Sequence, residues 1–389
     1  MNKKSLVKGR GLGMSVWGLT LAAGLVALSA CGNGTSVKAA DSSLTSEQVA
    51  AVKTATDRVN EAKKPVTFVA PGPKFSTASA KGKKVFFVAN FIGSPFTDAL
   101  VAGLKEALEP RGVQVEVRDA GASPAKAATY FDQAISQKAD AILNLAISTD
   151  AIKASVESAK AAGIPVVQMF NADPGAKDET SIGVAAQVSF GYGRGMALVG
   201  DYAIMASAAN VNAAAWESTD VGTSGAAVNG LKSEFAQLCP KTCNVDTLYD
   251  AQAAVWAQRV PSQASAALKN SKINWLLPLY DSHLTWILPQ IVASSRNDVR
   301  TASFNGNLAA MQAMQKDPNS TAALVHSPLA WAAWATADQT LRVLTGMAPL
   351  ADTKIPLRLF DKSNIPDLNA PESTWEGADF KSGYSALWL

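Results

Sequence analysis

Few residues in this chain have the type and spacing to do chemistry. Cys239 and Cys243, in the run Cys239-Pro240-Lys241-Thr242-Cys243, are two thiols close enough that they most simply close a small disulfide loop. Metal binding would need further ligands, and the only histidines, His283 and His326, stand at no ligand spacing to the cysteines or to each other. No metal site is expected. Gly191-Tyr192-Gly193-Arg194-Gly195 looks phosphate-like, but its spacing departs from the dinucleotide fingerprint and no acidic residue follows at the expected strand end. A nucleophile needs a base within reach, and two scattered histidines supply no evident serine or cysteine triad. The chain does not read as an enzyme, and no cofactor is expected.

The third cysteine, Cys31, has a different chemistry. Leu28-Ser29-Ala30-Cys31-Gly32 has the form of a lipobox, preceded by Lys3, Lys4, Lys8 and Arg10 and by an apolar run, 16–28, too short to span a bilayer permanently. Residues 1–30 are therefore expected to be a lipoprotein signal peptide, with the Cys31 thiol lipidated and the protein anchored to the outer face of the cell membrane. Cleavage at an ordinary small-residue site is the alternative, and it too puts the folded part outside the cytoplasm. The first thirty residues carry four basic groups and no acidic one, so their loss turns a net charge of +3 into −1. Nothing in that balance suggests nucleic acid. No second long apolar run follows.

The elements that must position any site follow from periodicity. Forty-eight percent hydrophobic residues and a length beyond one ordinary core suit two lobes. Residues 31–82 read as a lipidated tether, a helix over 44–62 and an extended strap, 65–83, lying on the first lobe. From Val85 the pattern becomes a strand and helix repeat of about thirty residues. Strands are expected at 85–89, 113–117, 141–145 and 164–169, with helices carrying Leu100 and Leu104, Phe131 and Ile135, and Ile152 and Val156. A second series follows a strand near 182–185: helices at 191–207, 226–238, 260–268, 284–294 and 308–315, and strands at 213–216, 245–249, 273–279 and 301–304. The fold class is α/β, two similar doubly wound parallel-sheet lobes whose ligands bind beyond the carboxyl ends of the strands.

Several short motifs now add up. They are Gly93-Ser94-Pro95-Phe96, Ser148-Thr149-Asp150, Ala162-Gly163-Ile164-Pro165-Val166-Val167, Phe304-Asn305-Gly306 and Val325-His326-Ser327-Pro328. In this order and spacing, over about 83–346, the chain resembles the type I periplasmic binding proteins of ABC importers, in the branch that contains the ribose-binding proteins. The resemblance implies a three-crossover hinge, with crossovers near Ala186, His326 and Gly346. The first lobe would be 83–186 plus 327–346, and the second 187–326 plus 347–389.

The resemblance also implies a ligand set. Phe96 stands where a family aromatic covers one face of the ligand, with Trp256 chosen for the other face. Ser94, Asn229, Asn305 and His326 stand where the family has Asn, Arg, Asp and Gln, and Tyr280-Asp281 where it has Asn-Asp. Phe170-Asn171 replaces a charged Asp-Arg pair, and Leu145 a polar strand-end residue, which points to fewer charges and more rings around the solute. Trp331 and Trp334 are assigned to the core, His283 to a helix start, and Glu217 and Asp220 to the cleft or to a docking surface. The implied function is that of a monomeric, lipid-anchored solute-binding protein that delivers a small solute, a sugar or polyol, to an ABC permease and its ATPase. A signalling receptor, or a binder of a nucleoside or small aromatic, is the alternative.

Overall fold

The computed structural model describes residues 44–174 and 183–389; the expected signal peptide and Cys31 lie outside the described residues. The run Val85-Phe86-Phe87-Val88-Ala89, apolar on both faces, becomes an inner strand of the first sheet, β1 (Lys84–Ala89), covered by helices from both sides. Four strands join it in parallel: β2 (Gln114–Asp119), β3 (Ala141–Leu145), β4 (Val166–Met169) and β5 (Ala186–Val188), in the order β2-β1-β3-β4-β5. Side chains alternate between the two covers. Val85, Phe87 and Leu143 pack in one cluster with Leu100 and Leu104 of α2 (Pro95–Leu108). Phe86, Val88 and Ile142 pack with Phe131 of α3 (Pro124–Ser136) and Val156 of α4 (Lys153–Ala161).

The second sheet repeats the scheme. Its order is β11-β10-β9-β8-β6-β7, from β6 (Val211–Glu217), β7 (Cys243–Asp250), β8 (Trp275–Pro278), β9 (Arg300–Asn305), β10 (Thr321–His326) and β11 (Arg358–Asp361). All pairs are parallel except β10 with β11. Ala213, Ala215, Trp275 and Leu277 face α5 (Tyr192–Ala206) and α6 (Ser224–Leu238), whereas Ala214, Trp216 and Leu276 face α7 (Trp256–Lys269) and α8 (Leu284–Ser294). α9 (Leu308–Lys316) joins β9 to β10, and α10 (Leu329–Leu344) leaves β10 for the first lobe, where it packs on α2. Trp331 and Trp334 of α10 are buried there. Cys239 and Cys243 are bonded at the end of α6, with their Cα atoms 5.3 Å apart.

Two features depart from the expected layout. Residues 347–389 do not stay with the second lobe. β11 joins its sheet, but α11 (Phe380–Ser385) and the last residues return to α10, where Trp388 stacks on Trp334 at 5.4 Å. Likewise α1 (Ser46–Ala62), started by a capping box between Thr45 and Gln48, buries Ala51, Ala55 and Val59 against α5 and α6 of the second lobe. The strap then carries the chain to the first lobe and meets the returning tail, where the Phe75 N–H donates to the Leu387 carbonyl and the Phe75 carbonyl accepts from the Leu389 N–H. Among the described residues the chain therefore passes between lobes five times rather than three. The physical reason is apolar surface: α10 turns Trp331 and Trp334 toward a face that Phe68, Phe380, Tyr384 and Trp388 cover.

Candidate functional site

The carboxyl ends of both parallel sheets meet at the seam between the lobes, and rings bridge it. Phe96, half-buried in the first turn of α2, meets the edge of Phe170 at 5.7 Å; Phe170 stacks on Phe190 at 4.5 Å and 10°. Phe190, in the crossover after β5, meets Phe304 of β9 at 6.3 Å, and Tyr192 closes the group against Phe304 at 5.3 Å. Phe170 has φ +59, a left-handed conformation that a bulky residue holds only when its surroundings demand it. Here the demand is the stack on Phe190. Charge is thus absent where Phe170 stands, and the ring belongs to a buried cluster.

The polar candidates are largely engaged by neighbours. Ser94 caps α2, its Oγ accepting from the Thr97 N–H at 3.2 Å. Asn171 is buried and donates from Nδ2 to the Ile147 carbonyl at 2.6 Å. The Trp256 indole donates to Ser218 Oγ at 2.8 Å and to the Ala251 carbonyl at 3.0 Å, while its ring stacks on Tyr280 at 5.7 Å. The Tyr280 hydroxyl lies 2.9 Å from Ser224 Oγ. His283 stands at the start of α8 but fully buried, edge-on to Trp256 at 4.6 Å, and burial pulls it down to about 3, so it is neutral. Asp220 accepts from the Ala253 N–H, and burial beside Asp250 raises the Glu217 carboxyl.

The structure also places Asn229, Asp281 and His326. Asn229 lies at an exposed position of α6. Asp281 is buried and accepts from the Asn307 N–H at 2.6 Å and from Asn307 Nδ2 at 2.7 Å, which fastens the loop before α9; burial, against those hydrogen bonds, raises it to about 7. His326 has no exposed surface. Its Nδ1 meets Glu376 and its Nε2 lies 3.2 Å from Glu372, so the tail takes both nitrogens. Asn305, beside it, keeps φ +98 and a buried Oδ1 without a partner among the described residues, while its carbonyl accepts from Ser327.

The glycines of Gly191-Tyr192-Gly193-Arg194-Gly195 serve packing. Gly191 has φ +81, and a Cβ on Gly195 would sit 2.6 Å from the Phe304 ring. Arg194 donates to the carbonyls of Phe190 and Ile355, joining two crossovers.

The periplasmic binding protein domain matches residues 85–347. The chain belongs to that family. Over 114 residues it is 30% identical to the ribose import binding protein RbsB of Bacillus subtilis, an alignment that covers 28% of this chain and 37% of the relative. The chain thus spans little more than a third of the length of that curated relative. Among solved structures, a solute binding protein of an ABC transporter from Agrobacterium vitis with bound allitol gives a TM-score of 0.63 at 20% identity, covering 75% of this chain and 99% of the other. The glucose-galactose binding protein GanP of Geobacillus stearothermophilus gives 0.65 at 14% identity, covering 74% and 99%. The periplasmic ribose ABC transporter of Conexibacter woesei gives 0.64 at 17% identity, covering 74% and 95%. The shared fold is the two-lobed type I arrangement.

Sequence reading missed Phe190, Glu372 and Glu376. Phe190 carried a faint signal, an aromatic directly after a strand and before a glycine turn; the tail residues carried none, because their partner His326 is some fifty positions away.

Proposed function

We propose that this protein is an extracytoplasmic solute-binding component of an ABC importer, without enzymatic activity, that captures a sugar or polyol between its lobes and presents the closed form to a permease and its ATPase. The observation that carries the reading is the run of rings from Phe96 through Phe170 and Phe190 to Phe304, which joins the two lobes at the strand ends where such folds bind ligands. Similarity to proteins named for ribose import and crystallised with allitol supports the solute class. The protein acts as a monomer, held to the membrane by lipid on Cys31 after removal of residues 1–30. Direct contacts to the solute come from Ser94, Phe96, Asn171, Trp256, Tyr280 and Asn305.

A second reading, a less polar solute such as a nucleoside or small aromatic, is favoured by one observation. Phe170 stands in the seam, and the nearby charged groups Asp281 and His326 are paired internally. The two readings separate in a thermal-shift screen of ribose, allose, allitol, myo-inositol, nucleosides and small aromatics. A solute at a hundred times its dissociation constant stabilises by about 2.7 kcal/mol. Hits confined to sugars and polyols favour the first; absence of any shift across the screen counts against both.

A further inference from the structure

Asp173 follows β4 by four residues, at the carboxyl end of the first sheet. Its carboxylate nonetheless reaches a helix of the other lobe. Oδ1 accepts from the Tyr192 N–H at 2.6 Å and Oδ2 from the Gly193 N–H at 2.8 Å, the first two amides of α5. Those amides have no acceptor within their own helix, so a carboxylate there satisfies two orphan donors and complements the positive helix end. Gly193 makes the approach possible, since a Cβ would stand 2.9 Å from Asp173 Oδ2 and 3.1 Å from the Ala226 carbonyl.

Two residues earlier the backbone again runs close to the second lobe: a Cβ on Gly222 would lie 3.2 Å from the Asn171 carbonyl oxygen.

We propose that Asp173 is an interlobe latch: it sets how firmly the lobes stay shut, and through that the affinity for solute, without touching the solute. Any opening that separates Asp173 from α5 must break both of its hydrogen bonds and leave two amides and a carboxylate to find water. A ligand then has less to supply to hold the closed form when the latch is intact. The inference rests on the two-lobed clamp reading given above, but it is tested without ligand.

Spin labels on Ala125→Cys in α3 and Val292→Cys in α8, both at exposed positions, report the interlobe distance, and amide exchange at Tyr192 and Gly193 reports the contact itself. With Asp173→Ala, the short-distance population of the unliganded protein should fall several-fold and both amides should exchange tenfold faster or more. Asp173→Asn keeps one acceptor and should lie between. Distance distributions that superimpose for wild type and Asp173→Ala overturn the latch, whatever the amides do. So does a wild type with no short population and unprotected amides. Failure of the clamp reading looks different: a wild-type distribution that stays fixed when ribose, allose, allitol or myo-inositol is added to saturation.

Discussion

The imidazole of His326, at the end of β10, is paired with the carboxylate of Glu376, fifty residues later in the tail, and both are fully buried. Glu372 takes the other ring nitrogen, Asp281 lies near, Arg358 sits beside Glu376, and the rings of Phe360 and Trp375 close the surroundings. Burial opposes the charge on the ring, but the two glutamates outweigh it and hold His326 up at about 9. A folded value above the ordinary 6.5 means that stability from this group is complete below about pH 6.5 and is lost as pH rises through 9. His326→Gln should therefore remove a contribution of about 3 kcal/mol from the slope of stability over that window. At pH 6 it should cost about 3–5 kcal/mol, because Glu376 is left buried and unpaired. Urea titrations at pH 6 and 9 measure both; equal slopes in the two proteins would show that the pair does not govern them.

Phe96 and Phe170 differ in burial, which separates their roles. Phe170, 3% exposed and stacked on Phe190, should lower stability by about 3–5 kcal/mol when replaced by alanine. Phe96 is half-exposed, so Phe96→Ala should cost little stability yet weaken binding of any solute found by thermal shift by tenfold or more. Calorimetric titration of the two variants decides; unchanged affinity in Phe96→Ala would move the site away from the seam.

Arg58 of α1 stands between two acids of the second lobe, paired with Glu234 and 3.6 Å from Asp201. Burial and the neighbouring Glu234 raise Asp201 to about 8, against the pull of Arg58. The folded state then holds a proton that the unfolded state has released, so stability falls as pH rises through 8. Arg58→Ala should steepen that fall: a loss of about 1–2 kcal/mol at pH 8, allowing for the half-exposed guanidinium, and less at pH 5, where Asp201 carries its proton. Melting curves at the two pH values test this, and an equal loss at both would refute it.

Trp388 stacks on Trp334 and donates from its indole to the buried Asp338, which also pairs with Arg342. Trp388→Ala should destabilise by about 3–5 kcal/mol, from lost packing and an underprovided carboxylate. If proteolysis then releases the tail without lowering the melting temperature, the return of the chain to the first lobe is dispensable.

Most strands were legible because their composition is one-dimensional information. An uninterrupted apolar run such as Val85-Phe86-Phe87-Val88-Ala89 has only one way to hide both faces, and α8 begins and ends where its periodicity says, at Leu284 and Ser294. Ends slipped where pairing decides them. β7 starts at Cys243, two residues before the apolar signal, because Cys243 pairs with Val211 of β6. The strand expected near 182–185 lies instead at Ala186–Val188, beside β4. Among the candidate site residues, Ser94 and Phe96 lie at the start of α2, Tyr280 just after β8 and Asn305 at the end of β9, whereas the partners of Asp281 and His326 could not be read.

Composition and period alone determined two largely parallel α/β sheets and the order of their strands and helices along the chain, because each of these depends on neighbours within a few residues. Only the tertiary structure decided that α1 rests on the second lobe, that the tail comes back to Trp334, that His326 faces Glu376 rather than an open cleft, and that Asp173 caps a helix across the seam. Those pairings join residues from nineteen to some three hundred positions apart. They are selected by which buried charge or ring remains uncovered once the sheets have formed, and no local pattern carries that information.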